Sequence, residues 1–167
     1  SYTMTKYTRL LGIVLLYTLC SLHTACQSKG QTQQTDTLTE STQQRDSLQL
    51  IFAGDIMTHG PQIRAALIGA GRYDFTPSFA LVKEQIQRAD LALANLETTF
   101  GGTPYSGYPM FSSPTALGEA LRDAGFDVLT TANNHSCDRR GYGITHTIDV
   151  LDSLGIATTG SYRTPEE

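Results

Sequence analysis

From about residue 50 the chain alternates between two hydrophobic rhythms. Residues 48–57 open on the apolar run Leu50-Ile51-Phe52-Ala53 and close on Gly54-Asp55, which predicts a buried strand with a polar tip. Pro61 starts a short predicted helix that runs to the glycines at 69 and 71. Pro77 suits the first position of another helix, with Phe79, Val82, Ile86 and Ala89 at helical spacing on one face. Residues 90–97 are an apolar run with acidic ends and predict a second buried strand. Residues 98–113, rich in Gly, Pro and Tyr, read as a loop. Ser113-Pro114 then opens a helix with Leu117, Leu121 and Ala124 as its stripe and Gly125 as its stop. A third strand at 126–132 leads into a polar loop at 133–143. Ile144, Ile148, Leu151 and Leu154 mark the last helix, Gly155 ends it, and 156–159 begin a fourth strand. Strands alternating with helices predict an α/β fold with a mostly parallel sheet.

The first 48 residues follow neither rhythm. Lys6 and Arg9 precede an apolar run of ordinary signal-peptide length at 10–19, and small residues lead to Thr24-Ala25-Cys26. Met4 is the expected start. That run is too short to span a membrane comfortably. Cys26 after Ala25 resembles a bacterial lipobox, with lipidation of Cys26 expected; His23 stands where an apolar residue is usual, so ordinary cleavage and secretion is the other reading. Residues 27–48 are dominated by Gln, Thr and Ser and predict a disordered polar tether. The expected organisation is a signal segment at 1–26, a linker at 27–48 and an α/β unit at 49–167, lipid-anchored at the cell envelope or secreted.

Charge and cysteine narrow the function. A net charge of −4 with no Lys/Arg-rich run argues against a nucleic-acid partner. Cys137 is left single once Cys20 and Cys26 are assigned to the leader, and no zinc-ribbon spacing occurs.

In parallel sheets, ligands bind beyond the carboxyl ends of the strands. Those ends carry Asp55, then Asn95 and Glu97, then Asn133, Asn134 and His135. Asp55 can offer its carboxylate to a hard cation or cap the turn that follows. Asn95 and Glu97 share one face of a strand by its period of two. Two Asn and a His after an apolar strand are hard to explain by packing, because a buried amide needs partners. Asp138 either orients the loop or His135, or binds metal. His59 reads as a surface residue, His146 as structural and Cys137 as inert.

Taken together, these residues resemble the CapA (PgsA) capsule-synthesis family of poly-γ-glutamate biosynthesis. The resemblance rests on Gly54-Asp55-Ile56-Met57, Asn95-Leu96-Glu97 and Ala132-Asn133-Asn134-His135 followed by Asp138 and Gly141, in that order, with Gly155-Ile156 and Thr159-Gly160 beyond. It spans about residues 50–167. It implies part of a metallophosphatase-like fold related to the calcineurin-like phosphoesterases. It further implies a divalent metal (Mn, Zn or Mg) held by Asp55, Glu97 or Asn95, and Asn134, with His135 and Asp138 as catalytic groups. Capsule or poly-γ-glutamate synthase and export components are the implied partners. Met57 departs from the phosphoesterase pattern, which has a His there, and further His ligands and a second sheet are expected from a longer chain. The rival readings are a non-catalytic envelope scaffold or polymer-binding lipoprotein, and a nucleotide phosphodiesterase.

Overall fold

A computed structural model describes residues 47–167. The expected signal segment, Cys26 and nearly all of the tether lie outside the described residues.

Four parallel strands form the sheet: β1 (Leu50–Ile56), β4 (Leu91–Leu96), β5 (Val128–Thr130) and β6 (Ala157–Thr159), side by side in that order. The intervening helices are α1 (Gly60–Ala66), α2 (Lys83–Gln87), α3 (Ala116–Ala124) and α4 (Arg140–Leu154). Each crossover steps to the next strand in one direction. Right-handed connection therefore puts all the helices on one face of the sheet. Burial follows from this. Ala92, Ala94 and Leu96 of β4 and Leu129 of β5 are buried with Leu117, Leu121 and Ala124 of α3 and Leu151 of α4. The alternate residues Leu91, Leu93 and Val128 are only half-buried, and Phe52 is 72% exposed. The sheet is thus packed on one side and open on the other.

The predicted strands and the last two helices are present, with differences that have physical causes. The helix begun at Pro61 ends at Ala66 rather than near Gly71. Gly69, Ala70 and Gly71 all take positive φ, and a helix does not continue through such a run. Residues on either side pair instead as a small antiparallel hairpin, β2 (Leu67–Gly69) with β3 (Arg72–Tyr73). The helix expected from Pro77 is split into a 3-10 turn (Thr76–Ser78) and the short α2. Phe79 and Ile86 still reach the core, while Val82 stays exposed. The last helix begins at Arg140, inside the expected loop. Gly143 lies within it, and a Cβ there would come 2.5 Å from the Arg139 Cβ, so the position has no room for a side chain.

The loop at 98–113 is firmly built. Ser106 and Ser112 exchange backbone hydrogen bonds (3.0 and 2.9 Å), and the Thr99 hydroxyl donates to the Phe111 carbonyl (2.9 Å). The Arg139 guanidinium donates to the Pro104 carbonyl and to the Ser106 hydroxyl. Among the described residues no helix is long and apolar enough to cross a membrane.

Candidate functional site

The site begins with an irregularity in β1. Phe52 pairs with Leu93 and Asp55 with Asn95, so β1 uses three steps where β4 uses two. The extra residue, at Ala53-Gly54, is a β-bulge, and a bulge changes the face on which later side chains emerge. Without it Asp55 would share the helix-covered face. With it Asp55 stands beside Asn95 on the open face, and the Asn95 amide donates to the Asp55 carboxylate (2.9 Å). Glu97, two residues on from Asn95, lies on the same side and accepts a long hydrogen bond from the same amide (3.5 Å).

Two carboxylates are therefore held together. The Glu97 carboxyl is pushed above the usual carboxylate range, first by burial, then by its hydrogen bond to Asp55 and the charge of Asp55. The charge of His135 acts in the opposite direction, as the smallest of the causes.

Asn95 also accepts, through its other amide atom, from the Thr130 hydroxyl (3.1 Å) and the Asn133 amide (3.1 Å). That network fixes which end of the amide faces the carboxylates. Asn95 presents N–H, not oxygen, to Asp55 and Glu97. Asn133 is equally occupied: it donates to the Leu96 carbonyl (2.9 Å) and accepts from the His135 N–H (3.0 Å). Asn134 is exposed, and none of these bonds engages it.

His135 and Asp138 form a separate pair, with Nδ1 of the imidazole 2.7 Å from the buried Asp138 carboxylate. The same carboxylate oxygen accepts from the Phe111 N–H (2.6 Å). Asp138, acceptor-only when ionised, places the His135 proton on Nδ1 and leaves Nε2 to act as an acceptor. Phe111 packs edge-on against His135, with centroids 4.6 Å apart.

The strand ends thus bring Asp55, Asn95, Glu97 and the His135–Asp138 pair to one edge of the sheet. Asn133 is tied into this network, while Asn134, the expected metal ligand, is exposed beside it. Sequence reading also missed Thr130 and Phe111. Thr130 had no signal of its own, since its register with Asn95 is set by the folded sheet. Phe111 had none, because its role depends on the fold of the loop. Among the described residues, no group of three His, Cys, Asp or Glu side chains is arranged to hold a metal ion. His146 is structural as expected, its Nδ1 2.5 Å from the Phe100 carbonyl oxygen. Cys137 is exposed and unpaired.

The whole folded stretch matches one family. Residues 49–167 fit the model of the bacterial capsule synthesis protein PGA_cap. The chain belongs to this capsule synthesis family. The match implies a metallophosphatase-like fold, in keeping with the parallel sheet and its strand-end residues. Two proteins of Sinorhizobium fredii (strain NBRC 101917 / NGR234), the uncharacterized proteins y4sH and y4uA, are each 36% identical over 93 residues, 50% of this chain and 20% of theirs. The chain thus spans about a fifth of the length of these curated relatives.

Proposed function

We propose that this capsule-family chain acts at the cell envelope in synthesis or export of a capsule polymer such as poly-γ-glutamate, through a metallohydrolase-like site at its strand ends. The observation that carries the reading is the Asp55–Glu97 pair. Two carboxylates held side by side by one amide, with Glu97 pushed toward its protonated form, are stabilised by a shared cation, and oxygen donors suit a hard divalent ion such as Mg²⁺ or Mn²⁺. These residues fit such an ion in kind.

In this reading Asp55 and Glu97 hold the metal, with the exposed Asn134 amide within the same set of strand ends. A metal bound there supplies Lewis acidity and lowers the pKa of a bound water. Asn95 holds the two carboxylates in place rather than binding metal. His135, with its proton fixed on Nδ1 by Asp138, accepts or returns a proton at Nε2. Cys26 carries the lipid that ties the chain to a membrane, and synthase or export components are its partners.

A second reading is a non-catalytic scaffold that holds the polymer or its synthase. It draws on the sparse donor set, in which no three acidic, His or Cys groups are arranged to hold a metal ion among the described residues.

Calorimetric titration of the chain with Mn²⁺ and Mg²⁺ tests the metal. Saturable binding that weakens at least tenfold in Asp55→Asn and Glu97→Gln is expected. Binding unchanged in both variants refutes the assignment. For the anchor, cells fed a labelled fatty acid should label the parent chain and not Cys26→Ala; an unlabelled parent chain excludes the lipid.

A further inference from the structure

His59 is a residue that the site as described leaves unused. Its backbone is fixed from three sides. Its N–H donates to the Gln62 side-chain oxygen (2.6 Å), and its carbonyl accepts from the Ile63 N–H (3.0 Å). Gly107 of the 98–113 loop is packed so closely that a Cβ there would lie 2.8 Å from the His59 Cα. The side chain, by contrast, is exposed. Its ring stands edge-on to Phe111, with centroids 5.1 Å apart. Phe111 is the same buried ring that packs against His135 at 4.6 Å. One phenyl ring therefore positions two imidazoles, one paired with a carboxylate and one facing water.

A cation lies close by. Nη1 of Arg64 comes within 3.2 Å of where a Cβ on Gly60 would stand, and Arg64 is exposed and makes no ion pair among the described residues. Arg139, the other nearby guanidinium, is turned into the 98–113 loop. So the start of α1, joined to His135 through Phe111, carries a fixed imidazole and, beside Gly60, an exposed guanidinium with no ion pair among the described residues. Both are donors suited to anionic oxygen.

We propose that His59 and Arg64 form an anion-recognition rim, which receives an anionic group of the substrate, a phosphate or a carboxylate, while the substrate's reacting group lies at His135. The inference rests on the proposed site for where the substrate reacts, and it adds residues and a charge preference that the strand-end motifs do not contain. The Arg64 charge offsets that of the incoming anion, and the rigid loop fixes ligand orientation before reaction.

The test uses the full chain with ¹⁵N-labelled histidine, followed by the ring-nitrogen signals during titration. Inorganic phosphate and acetate are added separately, each with and without Mg²⁺, so that the two anion sources are told apart. The expected result is that the His59 and His135 signals move together and saturate with one constant for at least one anion. That constant should weaken about tenfold in His59→Ala and several-fold in Arg64→Gln, as loss of a charge-assisted hydrogen bond requires. Both side chains are exposed, so the variants should keep the fold, and an unchanged amide spectrum checks this. A His59 signal that does not saturate with either anion, or an affinity unchanged in His59→Ala, overturns the inference. If Mg²⁺ fails to bind while an anion still moves both imidazoles, the metal reading falls and this one stands.

Discussion

At the scale of single residues, the site is a set of polar groups that satisfy one another. Asn95 connects three strands through four partners: Asp55, Glu97, Thr130 and Asn133. The unfavourable element is the pair of like charges, and it makes a testable contribution to stability. The Glu97 carboxyl binds its proton more tightly folded than unfolded, because of burial and of Asp55 beside it. A group whose folded pKa is raised stabilises the fold below its unfolded pKa, and that contribution is lost as pH rises through the folded value. Metal-free protein should therefore lose stability as pH rises from the ordinary glutamate pKa of about 4.3 through the raised value. Asp55→Asn should bring the Glu97 pKa back down and flatten that part of the curve. Carbon-13 carboxyl titration and urea denaturation at several pH values check both. A Glu97 pKa that stays in place in Asp55→Asn would show that Asp55 is not among its causes.

Among elements, the bulge in β1 matters most. A parallel strand that runs in phase turns every second side chain to one face. The bulge at Ala53-Gly54 breaks that phase once and aims Asp55 at Asn95. Deleting Gly54 should restore the phase and turn Asp55 toward the helix-covered side. The expected outcome is loss of saturable Mn²⁺ binding by at least tenfold, with the far-ultraviolet circular dichroism spectrum retained. Calorimetry on the deletion variant reads the first and circular dichroism the second. Full metal affinity in the deletion would mean that the bulge does not aim Asp55. The 98–113 loop works in the same way for the other half of the site, since Phe111 at its root positions His135 through Asp138.

Over the whole molecule the two faces of the sheet differ. One is packed under four helices. The other presents Leu50 and Phe52, at 44% and 72% exposure, beside the half-buried Leu91, Leu93 and Val128. Parallel sheets are ordinarily covered on both faces, and an apolar patch of this kind promotes association. This chain should self-associate at micromolar concentration, and Phe52→Ser should reduce that without lowering stability by more than about 0.5 kcal/mol, the usual range for an exposed position. Sedimentation velocity measures the association and urea denaturation the stability. A chain that remains monomeric at high concentration would show that the open face is not sticky. The pair Asp55–Glu97 stands at the carboxyl end of this open face, so whatever covers the face also borders the site.

The sequence by itself determined the four strands of the main sheet, their parallel direction and the edge at which polar groups gather. Apolar runs such as 90–97 and stripes such as Leu117, Leu121 and Ala124 are local and depend only on period and burial. The family motifs were equally legible, because each one lies within a few residues of a strand end. What only the tertiary structure decided was orientation. Whether Asp55 faces Asn95 depends on one extra residue in a ladder between strands 40 positions apart. Whether Asn133 or Asn134 is tied into the network depends on which amide the turn directs at Leu96 and Asn95. His59 is a surface residue as read, but its packing against Gly107 and Phe111 came only with the fold of the 98–113 loop. Each of these contacts joins segments that are distant in the chain, and periodicity carries no information about which distant side chain a given one will meet.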